Sequence, residues 1–168
     1  MTKVNVGVNV AVYPVTYVSN EVLNCLFRII DKRGLSLSYL IDHKEALVDG
    51  LLTWISTRYL KKLIVEIYAS DEVVERWDMC FEYSTIIPSS SESTFETNLR
   101  KLEEFLNGLP SLDSDLEYRV IAVLKDGAPE VPGWGPTKLR PIDHLRNKNI
   151  GGIIKADYIG VAFQYWGR

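Results

Sequence analysis

The side chains best suited to acid–base chemistry sit in two repeated triplets, Ile41-Asp42-His43 and Ile142-Asp143-His144, which hold both histidines of the chain. A Ser/His/Asp arrangement needs a carboxylate that orients the imidazole from across the fold. An adjacent Asp-His pair at a helix start reads more simply as a cap, so neither histidine is expected to be catalytic. Cys25 and Cys80 lie among apolar residues and read as buried, reduced thiols. Two cysteines build neither a disulfide framework nor a four-thiolate zinc site, and with so few soft ligands no metal site is expected. The phosphate-cradling G-x-x-x-x-G-K, the dinucleotide G-x-G-x-x-G and the zincin H-E-x-x-H do not occur. Gly133-Trp134-Gly135-Pro136 reads as a turn. Glu103-Glu104 and the carboxylates of 71–82 read as solvated faces, and Lys61-Lys62 as charge on a sheet edge. No enzymatic constellation emerges, and neither a catalytic residue nor a cofactor is expected.

The elements that must carry these residues follow from length and period. The chain has 168 residues, 46% hydrophobic and 24% charged, with a net charge of −3, which suits one globular domain and does not mark a nucleic-acid binder. No 18-residue apolar run occurs, and Met1-Thr2-Lys3-Val4-Asn5 lacks the apolar region of a signal peptide, so a cytoplasmic protein is expected.

Val4, Val6, Val8, Val10 and Val12 alternate with small or polar residues, a strand signal that Pro14 breaks. A helix is expected from about Asn20 to Arg33, capped by Ser19 and leaving through Gly34. A second starts at Asp42, with Asp42 and Glu45 as a capping box and Leu47, Val48, Leu51, Leu52 and Ile55 as its buried stripe. Gly50 inside it costs about 1 kcal/mol relative to alanine, so a closely packed neighbour is expected there. Period two returns at Leu60: a hairpin over Leu60–Tyr68 and Val73–Tyr83 places Trp77, Met79, Phe81 and Tyr83 on one core face. Pro88-Ser89-Ser90-Ser91 is a polar loop, Ser93 and Glu96 form a capping box, and Phe95, Leu99, Leu102 and Leu106 point inward from a third helix ending at Gly108. A third core strand runs from Tyr118 to Leu124.

After Lys125 the texture changes. Gly127, Pro129, Pro132, Gly133, Gly135, Pro136 and Pro141 exclude a helix or a central strand. Ile153 to Trp166 then returns to strand pattern, with Ile159, Val161, Phe163 and Tyr165 on one side. The Pro/Gly stretch must therefore cross the surface as a strap. Residues 129–168 carry six basic and three acidic side chains, against 13 and 19 in residues 1–128, so a basic strap lies over an acidic body.

The run Leu60-Lys61-Lys62-Leu63-Ile64-Val65-Glu66-Ile67-Tyr68, a short turn, and Val73-Val74-Glu75-Arg76-Trp77-Asp78-Met79-Cys80-Phe81-Glu82 resembles the central hairpin of HORMA domains, the V-x-E-R-W-x-x-x-x-E string being its most specific part. Val131-Pro132 followed by Trp134 is similar to the opening of that family's C-terminal strap, the safety belt. The resemblance implies an α+β, HORMA-like fold: a mainly antiparallel sheet packed on three helices with a safety-belt strap. It divides the chain into an N-terminal β-like arm (1–15) and a HORMA-like domain (16–168), with a core (16–125) and a belt (126–168).

The implied function is a non-enzymatic adaptor that captures a closure-motif peptide as an added strand under the belt. Backbone hydrogen bonds then supply affinity, and pockets for alternate side chains supply selectivity. The compact length and the entry Tyr17-Val18-Ser19-Asn20-Glu21-Val22-Leu23 look like bacterial HORMA proteins of anti-phage (CBASS) operons. That implies two further partners: a cGAS/DncV-like nucleotidyltransferase that is bound and activated, and a Pch/TRIP-type AAA+ ATPase that resets the adaptor. Neither nucleic acid nor membrane is an expected direct partner.

The expected peptide contacts are Val120, Ala122 and Leu124 on one strand and Trp134, Tyr158, Gly160 and Ala162 on the belt. Trp134 is either the strap's anchor or a turn tryptophan packed on the body, and Phe163 and Tyr165 read as core. Lys3, Val4, Asn5 and Val6 are the expected grip of the ATPase. The valine-rich arm also reads as a strand of its own sheet or a mimic for a neighbour's groove. Arg100 matches the family's dimer arginine, but Lys101 stands where glutamine is expected, so Arg100 is either an interface or a solvated residue. A non-switching scaffold that assembles through its sheet edge is the alternative.

Overall fold

The computed structural model describes the backbone of residues 2–85, 95–113 and 115–168, with side chains from Tyr13 onward in those ranges. In chain order the elements are α1 (Thr2–Lys32), α2 (Ser38–Asp42), α3 (Lys44–Ser56), β1 (Leu60–Ala69), β2 (Glu72–Tyr83), β3 (Glu96–Thr97), α4 (Leu99–Asn107), β4 (Glu117–Leu124), β5 (Arg146–Ala156) and β6 (Ile159–Gly167). The strands form one antiparallel sheet of order β3-β5-β6-β2-β1-β4. The class is α+β, with helices against one face of the sheet. Among the described residues the helices number four rather than three, because a short helix, α2, precedes the second expected helix, which is α3.

Helix α1 buries Val18, Val22, Cys25, Leu26, Ile29 and Ile30 completely, a stripe at three- and four-residue spacing. It ends as expected at Gly34, whose φ of +76° is left-handed. Leu35 N–H reaches back to Ile30 O at 3.1 Å and Gly34 N–H to Asp31 O at 3.0 Å, which satisfies the last carbonyls. Its beginning differs from expectation. Residues 2–12 continue the helix in place of a strand, and Pro14 and Ser19 lie inside it. A strand needs a partner to bond its backbone, whereas a helix already nucleated by a packed stripe adds one local hydrogen bond per residue; valine's β preference is the weaker term. The side chains of Lys3, Val4, Asn5 and Val6 lie outside the described residues.

The two other expected helix starts also move. Asp42 closes α2, and α3 starts after His43 with no side-chain cap, so Asp42 and Glu45 form no capping box. Helix α4 is capped by Asn98, whose Oδ1 accepts the Lys101 N–H at 3.1 Å. Glu96 pairs in β3 instead, and Ser93 and the 88–91 loop lie outside the described residues. A capping pattern is short, and the chain offers several oxygen side chains near each start, so the pattern alone does not select the one that caps.

The β1–β2 hairpin forms as read, with Trp77 and Met79 fully buried and Phe81 buried toward the helices. Two readings of its charges are corrected. Glu75 and Asp78 are buried rather than solvated, and Lys61-Lys62 lies on an interior strand, between β2 and β4. Asp78 is neutralised by Arg76 through bonds of 2.7 and 2.8 Å, which is what allows a carboxylate to be buried. The C-terminal strand proves to be a β5–β6 hairpin. Its second strand alternates strictly between buried and half-buried residues and pairs with β2 along its length.

Candidate functional site

Among the described residues strand β4 pairs with β1 alone, so its other edge carries no strand there. Registered pairs Val65–Val120 and Leu63–Ala122 face the helices, and Ile64–Ile121 and Glu66–Arg119 face the opposite side. Residues 125–145, without regular secondary structure, leave the end of β4, run beside α3, pass round the free edge and cross the opposite face of the sheet before entering β5. Between edge and strap lies a groove of about 760 Å³, lined by Val120, Ala122 and Leu124 on one side and by Pro129, Val131 and Trp134 on the other.

Two indoles fasten the strap to α3. Trp134 Nε1 donates to Ala46 O at 2.7 Å, and Trp54 Nε1 donates to Pro129 O at 2.7 Å. The rings meet edge to face, with centroids 5.1 Å apart, a favoured aromatic geometry. The close approach needs missing side chains. A Cβ on Gly50 would lie 2.7 Å from Trp134 Nε1, and one on Gly133, at φ +91°, would lie 2.8 Å from Ala46 Cβ. The neighbour that Gly50 demanded is therefore Trp134, and Trp134 is a strap anchor that also lines the groove.

Beyond the edge the strap meets a carboxylate. Glu66 is fully buried and accepts from Arg119 Nε at 2.7 Å, Arg140 Nη1 at 3.0 Å and the Arg140 backbone N–H at 3.0 Å. Burial alone would raise its pKa, but these bonds outweigh that and hold the carboxyl below the ordinary glutamate range. Arg119 also donates to Thr137 Oγ1 at 2.8 Å and to Lys138 O, and the Arg140 guanidinium lies 4.0 Å above the Tyr68 ring. The excess of basic residues after 129 acts here through one specific contact.

A second buried cluster explains the V-x-E-R-W string. Glu75 accepts two bonds from Arg33, at 2.9 and 2.8 Å, one from Trp77 Nε1 at 2.8 Å and one from the Tyr165 hydroxyl at 3.2 Å. It ties α1, β2 and β6 together, so it fixes the C-terminal hairpin on the sheet. Tyr165's hydroxyl is pushed above the usual phenol range by burial and by Glu75's charge. Arg76 stacks 4.9 Å from the Trp166 ring.

The structure brings Val120, Ala122, Leu124 and Trp134 together, and it does not bring Tyr158, Gly160 and Ala162 to them. Those three belong to the turn before β6 and to β6 itself, which lies three positions from β4 in the sheet. They line a separate hollow with Glu82 and Glu96. The correction has a simple origin: the sequence shows that the chain ends in a strand but not which edge that strand joins. Arg100 is exposed and paired with Glu104 at 2.9 Å, and Lys101 extends over β5 to within 3.5 Å of Gly152 O. His43 stacks on Tyr39, and His144 contacts Val73 O at 2.6 Å. Cys25 is fully buried, its thiol pushed up to about 12 by burial, and Cys80 is half-buried. Sequence reading missed Glu66, Arg119 and Arg140; an acidic residue inside the apolar run Leu63–Ile67 was the available signal.

A sheet packed on helices by one face, extended on the β2 side by a C-terminal hairpin and passed round at its β4 edge by the strap that leads to that hairpin, is the HORMA-like architecture. A chain of the mitotic checkpoint complex shares it with a TM-score of 0.75 at 14% identity, over 92% of this chain and 98% of that one. C. elegans HTP-2 bound to the HIM-3 closure motif gives 0.65 at 14% identity, over 89% of each chain. A chain of the E. coli MS115-1 HORMA:CdnC:Trip13 complex gives 0.60 at 12% identity, over 92% of this chain and 89% of that one. The chain belongs to the family described as bacterial HORMA domain 2, which it matches over residues 1–168. No curated protein matches it in sequence. No helix among the described residues is long and apolar enough to cross a membrane.

Proposed function

We propose that this protein is a non-enzymatic cytoplasmic adaptor that captures an extended peptide along the free edge of β4 and encloses it with the 125–145 strap. The observation that carries the reading is that edge. Strand β4 offers unpaired backbone groups beside a groove lined by Val120, Ala122, Leu124 and Trp134, and the strap already passes round it. An added strand gains backbone bonds from β4 and apolar contacts on both sides. Release is slow because the strap must first open locally. Tyr158, Gly160 and Ala162 take no part. The complexes of the structural neighbours, one with a closure motif and one with CdnC and Trip13, support the kind of partners. A closure-motif protein loads the groove, the loaded form binds and activates a cGAS/DncV-like nucleotidyltransferase in anti-phage defence, and an AAA+ ATPase resets it by gripping the arm of residues 1–15 at Lys3–Val6.

Peptide-display selection on the full chain tests the first step. One extended, largely apolar motif is expected, and Ala122→Lys, which fills the groove, should weaken the winning peptide at least tenfold. Failure to enrich any motif, or binding indifferent to Ala122→Lys, would overturn the reading. The strap cannot simply be cut away for this test, because the chain beyond it supplies β5 and β6, hence much of the core.

A further inference from the structure

The strap is fastened unevenly. Upstream, Trp134 and Pro129 are bonded to α3. Downstream, His144 contacts Val73 O and Leu145 is buried. Between them, among the described residues and apart from the local turn in which Leu145 N–H donates to Ile142 O, every hydrogen bond or ring contact from 135–143 to the rest of the molecule goes to Glu66, Arg119 or Tyr68. Leu139 is exposed and Ile142 only half-buried, so no fully buried apolar side chain holds this span. The stretch that passes round the groove's open side is thus pinned at one point, a fully buried carboxylate with two arginines.

We propose that Glu66, Arg119 and Arg140 form a single release catch for the strap, and that breaking the Glu66–Arg140 contact frees 135–143 to swing off the groove while the Trp134 anchor stays in place. This rests on the peptide-capture reading for its consequence, but not for its geometry.

The chemistry favours an all-or-none catch. Glu66 sits on β1, an interior strand, while Arg140 belongs to the strap and Arg119 to the groove strand itself. Both arginines donate to the same Oε1, and Arg140's backbone N–H takes Oε2. Departure of Arg140 leaves Arg119 to hold the carboxylate, so the fold keeps a paired buried charge in the open form. Arg119's bonds to Thr137 and Lys138 are made to strap atoms that leave with Arg140, so the contacts break together. A chain lying along β4 could then depart sideways, without loss of the α3 contacts or the C-terminal hairpin.

The test uses the full chain and limited trypsin cleavage after Lys138, which sits inside the pinned span. Arg140→Ala removes the strap's half and leaves Glu66 paired with Arg119. Glu66→Gln weakens both halves and serves as the second variant. Cleavage at Lys138 should accelerate tenfold or more in Arg140→Ala, with cleavage at other lysines and arginines and the thermal midpoint near wild type. Arg140→Lys should recover part of the protection. Wild-type nicking at Lys138 in Arg140→Ala, or an equal rise at every site, would overturn the catch. For a display-selected peptide, the same variant should dissociate at least tenfold faster, and an unchanged dissociation rate would refute the sideways exit. If no peptide binds the wild type, the capture reading fails while the cleavage result still decides the catch.

Discussion

Replacing Gly50 by alanine should loosen the strap while leaving the helix that carries it intact. In an ordinary helix interior the change stabilises by about 1 kcal/mol. Here the new methyl would stand 2.7 Å from Trp134 Nε1, 2.9 Å from its Cε2 and 3.0 Å from Trp54 Cζ3. If the indole stays, overpacking costs about 1–3 kcal/mol. If it moves, the Nε1–Ala46 hydrogen bond goes, at about 0.5–1.5 kcal/mol, with the edge-to-face contact to Trp54, at about 0.5–1.5 kcal/mol. Either route costs about 1–3 kcal/mol against the helix gain, so the net effect is between neutral and about 2 kcal/mol destabilising. The global value alone therefore decides little, and the assay must read Trp134 itself. The Trp134 indole N–H, bonded to Ala46, should exchange slowly in wild type and become fast in Gly50→Ala, while amides around Leu51 and Ile55 keep their protection. A variant about 1 kcal/mol more stable, with the Trp134 indole still protected, would refute the packing argument.

Three further outcomes are expected. Phe163→Ala, at a fully buried position on β6, should destabilise the protein by about 3–5 kcal/mol in chemical denaturation. Glu75→Ala leaves Arg33 buried and unpaired and should cost about 3–5 kcal/mol, most of which Arg33→Met in the same chain should restore, as measured by thermal unfolding. Glu66's carboxyl is held below its ordinary range by Arg119 and Arg140 despite its burial, with Arg76 across the strand engaged by Asp78. Its contribution is therefore present above the ordinary glutamate range and is lost as pH falls through Glu66's own, lower value. Protection of the Arg140 amide, corrected for intrinsic exchange, should be level near neutrality and fall in acid, and Glu66→Gln should flatten that dependence.

Long, strongly patterned segments were legible from residues alone. The α1 stripe from Val22 to Ile30, its exit at Gly34, the β1–β2 hairpin, β4, and the Pro/Gly strap all lie where period and breakers placed them. So did the demand of Gly50 for a close neighbour, because a glycine in a helix costs free energy unless something needs the space. Half of the candidate site was readable in the same way: Val120, Ala122 and Leu124 as one strand, and Trp134 on the strap. Helix starts were not, since Ser19, Asp42 and Glu96 carry capping side chains without occupying capping positions. Nor was the state of residues 2–12, where valine alternation satisfies a strand template but the backbone extends an established helix.

What the sequence determined by itself is the local alphabet: which segments bury a stripe, which bury a face, where the chain must turn, and the motif that marks the family. The tertiary structure alone decided sheet order, and with it which edge is free. The reason is that strand pairing is a long-range choice to which period-two patterning is indifferent; β6 would alternate identically on any neighbour. Packing on β2 carries Tyr158, Gly160 and Ala162 away from the groove and draws residues 125–145 round β4. It also brings Arg140 over Glu66, 74 positions earlier in the chain, so that a charge to which the sequence assigns no role becomes the buried point at which the strap is held.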